Sequence, residues 1–127
     1  MMVSVRAKVY PTEDAEKVRE AVLNIFPTEN VVVEEDEITA RPTELGTFMT
    51  LIRQHRILDA VRGRMIAGIE GNRTTFHLNK QAAYAGKVSM AEGSPPLGNI
   101  TVTIEDDDIE ASISQIAPMT VDGEVIE

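Results

Sequence analysis

From Val3 the chain alternates strictly, with Val3, Val5, Ala7 and Val9 on one side and Ser4, Arg6, Lys8 and Tyr10 on the other. This period-two pattern predicts a strand with one buried face and one wet face. A sheet made of such strands needs cover on one side only. The stretch that follows, "PTEDAEKVREAVLNIF", changes period: Ala15, Val18, Val22, Ile25 and Phe26 fall on one helical face, and Pro27 blocks continuation. Thr12 is the expected N-cap, with Glu13 and Asp14 at the positive end of the helix dipole.

The same mixture recurs downstream. "NVVVEEDEITARP" predicts two strands around a tight acidic turn, because the valines are β-branched and "EEDE" is too charged to bury. Thr43 is the expected cap of a second helix whose buried face carries Leu45, Phe48, Met49 and Ile52. Its apolar stripe then loses phase, since continuing it would bury His55 or Arg56. A break near His55 and a new helix from about Ile57 to Ile69 repair the pattern. "RTTFHL" alternates again, Asn79 caps a short helix "KQAAYA" closed by Gly86, and "KVSM" reads as a short strand. "AEGSPPLGN" is a loop, Ile100, Val102 and Ile104 mark a last strand, and Ile109, Ile113 and Ile116 mark a last short helix. Strands and helices mix without the regular alternation of a parallel sheet. The expected fold is therefore α+β: a two-layer sandwich with a largely antiparallel sheet and helices on one face, formed by residues 1–118 as a single domain. Residues 119–127 are expected to be a loose tail.

Composition narrows the function classes. The 127 residues include no cysteine, which excludes disulfides, thiolate metal sites and cysteine catalysis. No apolar run reaches the roughly 18 residues a membrane helix needs, and the start lacks the apolar block of a signal peptide, so a cytoplasmic protein with no membrane partner is expected. The formal net charge of -9 opposes indiscriminate nucleic-acid binding. Yet residues 51–90 carry a formal +5 and the remainder -14. Such segregation is the footprint of a nucleic-acid binder. "RQHRILDAVRGRM" concentrates Arg53, Arg56, Arg62 and Arg64, and Arg73 and His77 project from one side of a predicted strand, followed by Lys80. Arginine forks match phosphate oxygens.

Other chemistry is not supported. His55 and His77 lack the spacing of a zinc pair, and neither acid run (Glu34 to Glu37, Glu105 to Asp108) has the spaced ligands and glycine of an EF-hand loop. No nucleophile elbow or phosphate-cradling loop occurs. The expectation is no metal, no cofactor and no enzyme activity.

The segments "QHRILDAVR", "FHLNKQAAYAGKVSM" and "PLGNITVTI" together resemble a conserved archaeal family described as a predicted RNA-binding or exosome-associated protein. The resemblance runs through Arg56-Ile57-Leu58-Asp59, Phe76 to Ala83 and Pro96-Leu97-Gly98, and spans the chain from the first strand to about Pro118. It implies an archaeal source and a fold similar to the large-subunit ribosomal protein that binds 5S RNA. Combined with the charge pattern, it points to a non-enzymatic RNA-binding accessory protein, linked to RNA processing or the exosome. Arg53, Arg56, Arg62, Arg64, Arg73, His77 and Lys80 would meet phosphates or loop nucleotides, and Asn79 and Gln81 would supply base-edge hydrogen bonds. The rival reading is a module that docks an acidic protein partner on the same arginines; an enzyme on a phosphorylated small molecule ranks third. Oligomeric state, a homodimer included, is left open.

Overall fold

The computed structural model describes residues 1–93, 95–121 and 124–125. The first alternating stretch forms β1 (Met2–Lys8), followed by α1 (Ala15–Ile25), β2 (Val31–Val33) and β3 (Glu37–Ala40). Then come α2 (Gly46–Gln54), α3 (Leu58–Ala67), β4 (Ile69–Glu70), β5 (Arg73–Asn79), α4 (Lys80–Tyr84), β6 (Asn99–Glu105) and α5 (Ile109–Ile116). A two-residue ladder, β7 (Thr120–Val121) with β8 (Glu124–Val125), lies in the segment expected to be loose, part of which is outside the described residues. Six strands make one sheet in the order β2-β3-β1-β6-β5-β4, with every pairing antiparallel. This is the α+β architecture that the alternating strands imply.

Alternation decides which residues meet the helices. Val5 pairs with Ala40 and Val102, and Val102 pairs with Phe76; Ala7, Ile100 and Leu78 form the next row. All of these are buried, together with Val18, Val22 and Ile25 of α1, Phe48 and Ile52 of α2, and Val61 and Met65 of α3. At the centre Phe48 stacks between Phe26 and Phe76, with ring centroids 5.2 and 6.0 Å away. Aromatic pairs at such separations add to the stabilisation from area burial alone.

The break predicted at His55 is present. Between α2 and α3 the chain turns through Arg56 at φ +56°, which ends one apolar stripe and starts another. Leu58, Val61 and Met65 then face the core while Arg53 and Arg56 stay exposed.

Local expectations needed four corrections. α1 is capped by Asp14, which accepts from the Glu16 N–H, and not by Thr12. No side chain caps α2 from Thr43; Leu45 stands at the cap, and Glu44 Oε2 accepts the Gly46 N–H at 2.7 Å. α3 stops at Ala67, because Ile69–Glu70 turns back to pair with Arg73 and Thr74. "KVSM" makes a single bridge, Met90 to Leu78, in place of a strand.

Candidate nucleic-acid interface

The helices cover one face of the sheet and leave the other bare. On the bare face the strand register aligns side chains in transverse rows. Val32 pairs with Thr39, Thr39 with Arg6, Arg6 with Thr101, and Thr101 with His77, one row crossing five strands. A second row runs Ser4, Thr103, Thr75, and beside it Glu105 pairs with both Met2 and Arg73. Lys8 stands opposite Glu37. Five hydroxyls therefore line the face: Ser4, Thr39, Thr75, Thr101 and Thr103. Some are already coupled, since Thr75 and Thr103 oxygens are 3.4 Å apart and His77 Nδ1 lies 3.1 Å from Thr101 Oγ1.

Charge on this face is opposite in sign to that of the chain. Arg6, Lys8 and Arg73 project from it, and Arg41 borders it beside Met2, Ser4 and Thr103; the acids are Glu37, Glu105 and, opposite Arg73 on the edge strand, Glu70. Arg73 and Glu105 form an exposed ion pair at 3.6 Å. Among the described residues, Arg6, Lys8 and Arg41 have no carboxylate within 4 Å. Exposed cations with no internal partner are free to meet phosphate oxygens.

At one end the face deepens. A cavity of about 400 Å³ opens between β1, β6 and the loop before β6, lined by Arg6, Lys8, Tyr10, His77, Asn99 and Thr101. Glu37 also borders it. Beneath it sits Lys80, whose ammonium donates to the carbonyls of Lys8 (2.8 Å) and Leu97 (2.6 Å) and to Glu13 Oε1 (3.2 Å). Lys80 is 1% exposed, and its ammonium is 5.4 Å from the Tyr10 ring centroid. Glu13 also accepts the Tyr10 N–H and the Tyr84 hydroxyl. Burial, and then the Glu13 carboxylate, push the Tyr84 phenol up to about 12.

This geometry divides the residues the sequence singled out. Arg73 and His77 lie on the open face. Arg53 and Arg56 are exposed at the α2–α3 corner, in the helical layer on the other side of the sheet. Arg62 donates to the Ala117 carbonyl at 3.0 Å, and Arg64 to the Ala91 carbonyl at 2.9 Å, so both forks tie α3 to neighbouring segments. One assignment is corrected. Lys80 is no phosphate contact, because its three N–H groups are spent inside the protein. Asn79 has its Oδ1 engaged as the cap of α4, accepting from the Ala82 N–H at 2.9 Å. Gln81 is exposed on α4, among none of the residues lining the cavity. Sequence reasoning passed over Arg6, Lys8, Tyr10, Arg41 and Thr101. The signal for the first three was present: the alternation that buries Val3, Val5 and Ala7 puts Arg6 and Lys8 together on the opposite side, with Tyr10 continuing the pattern.

Fold and surface together define an open-faced α+β sandwich with a polar, locally basic sheet face in an acidic chain. A family model described as RNA binding matches residues 2–106, and the chain belongs to that family. It is 41% identical over 127 residues to a UPF0201 protein of Metallosphaera sedula, covering 94% of this chain and 89% of the relative. A UPF0201 protein of Methanopyrus kandleri is 44% identical over 136 residues, with 93% and 85% covered. The crystal structure of a UPF0201 protein from Methanococcus jannaschii superposes with a TM-score of 0.93 at 38% identity, covering 100% of both chains. Among the described residues no helix is long and apolar enough to cross a membrane.

Proposed function

We propose that this chain is a non-enzymatic RNA-binding protein whose contact surface is the open sheet face, not the arginine-rich helical corner. The observation that supports this best is the row Thr39, Arg6, Thr101, His77, in which a cation with no ion-pair partner among the described residues and hydrogen-bonding groups lie side by side across four strands. Strands are about 4.8 Å apart, so the row spans several successive contacts along a nucleic-acid backbone. Hydroxyls and imidazole exchange hydrogen bonds with 2′-hydroxyls and phosphates, the groups that a protein reads on folded RNA. Aromatic platforms are scarce on this face, with Tyr10 alone beside the cavity, so a run of stacked single-stranded bases is not what it fits.

Photocrosslinking to a structured RNA, with the attached peptides mapped by mass spectrometry, tests the reading. Crosslinks are expected on β1, β5 and β6. Crosslinks confined to residues 53–64 would reject the open face.

A further inference from the structure

The cavity at the end of the open face has features that a flat backbone-reading surface does not need. It is concave, and its volume of about 400 Å³ falls in the range of small-molecule sites, roughly 300–1,000 Å³, enough for one nucleotide and too small for a helix. Its cations are Arg6 and Lys8. Tyr10 lines it in a fixed pose, with the Lys80 ammonium against its ring and Gly98 closing on it at φ +75°. A methyl carbon added at Gly98 would stand 3.4 Å from that ring. Asn99 contributes the least expected feature. Its Nδ2 donates to the Gly93 carbonyl at 3.3 Å, but its Oδ1 is enclosed with no hydrogen-bond partner among the described residues. An enclosed acceptor without a partner is unfavourable for the folded chain.

Resting on the RNA reading above, we infer that this cavity receives one unpaired nucleotide of a folded RNA, a bulged or overhanging residue beside a helical stem. Its phosphate lies between Arg6 and Lys8, and its base packs against Tyr10 beside Asn99. One aromatic side chain accommodates one base, so the site counts a single extruded residue and not a strand. Lys80 acts as a positioning residue: by holding the Lys8 and Leu97 carbonyls it sets the width of the cavity.

The test uses two RNA hairpins of identical stem, one fully paired and one with a single unpaired adenosine, titrated against the full chain by fluorescence anisotropy. The bulged hairpin is expected to bind at least about fivefold more tightly, since contact of one base with an aromatic side chain is worth about 1–3 kcal/mol. Tyr10→Leu and, separately, Asn99→Asp should each shrink that ratio to about threefold or less. Asn99→Asp keeps the shape of the side chain, and circular dichroism verifies that each variant is folded. Equal affinity of the native chain for the two hairpins would overturn the cavity assignment and leave RNA binding standing. A ratio that survives both substitutions would overturn it too. Failure of both hairpins to bind would instead remove the RNA reading itself.

Discussion

His77 Nδ1 lies 3.1 Å from Thr101 Oγ1, and Thr101 is also the register partner of Arg6. One hydroxyl thus stands between an imidazole and a guanidinium on a bare sheet face. Replacing it tests whether the row acts as a unit. Thr101→Val keeps β-branching and should leave stability within about 0.5 kcal/mol. RNA affinity should fall roughly two- to tenfold, the worth of one net hydrogen bond. An unchanged affinity would mean that the hydroxyl ladder is only a solvated strand surface.

Lys80 and Glu13 form a buried pair, with side chains 1% and 4% exposed. Removing one partner leaves the other charged and enclosed. Lys80→Met should cost about 3–5 kcal/mol, and Glu13→Gln in the same chain should recover part of that loss. Urea melts of the two single variants and the double variant supply the cycle. Strictly additive costs would show that the two groups are not energetically coupled.

Tyr84 gives a pH signature. Its folded pKa is raised from 10.0 to about 12, by burial first and then by the neighbouring Glu13 carboxylate, to which its hydroxyl donates. Between those two values the unfolded chain has lost this proton and the folded chain still holds it. Stability contributed by the phenol is therefore whole below pH 10 and lost as the pH rises toward 12. Urea midpoints should fall more steeply over this window in the native chain than in Tyr84→Phe. Parallel curves would contradict the contact.

Two glycines of α3, one inside the helix and one at its C-terminal cap, should respond with opposite sign. A Cβ at Gly68 would stand 2.1 Å from the Thr75 carbonyl oxygen, a backbone atom of β5. Gly68→Ala should therefore force helix and sheet apart and cost about 1–3 kcal/mol. A Cβ at Gly63 meets nothing within 4 Å, and the site is in the helix interior. Gly63→Ala should stabilise the protein by about 0.5–1 kcal/mol, because alanine loses less entropy there. Thermal melts of the two variants check both signs.

Much of the fold was legible because period and burial are tied. Phe48 was assigned to a buried helical face, and it is the ring at the centre of the aromatic stack. The phase slip at His55 forecast a break, and Arg56 turns the chain there. What failed depended on partners distant in sequence. Lys80 looks like any basic residue at a helix start; its burial requires Glu13, Lys8 and Leu97, brought in from three other segments. Arg62 and Arg64 likewise lose their freedom to carbonyls 55 and 27 residues away. The candidate site was half legible. Arg73 and His77 were placed on one side of their strand, but without the strand order nothing joined them to Arg6 and Lys8. The order β1-β6-β5 makes that connection, and linear charge density points to the helical corner instead.

Charge reversal at two separate places is the most direct test of the open-face account. Arg6→Glu with Lys8→Glu changes the sheet surface, and Arg53→Glu with Arg56→Glu changes the α2–α3 corner; all four side chains are exposed. The affinity of both double variants for a structured RNA is measured across a range of salt concentrations, beside the native chain. The first should lose most of its affinity and flatten the slope of log K against log salt by about 1.4–1.8, the share of two phosphate contacts. The second should keep nearly the native slope. The reverse result, with the corner variant flattened and the sheet variant native, would contradict the account.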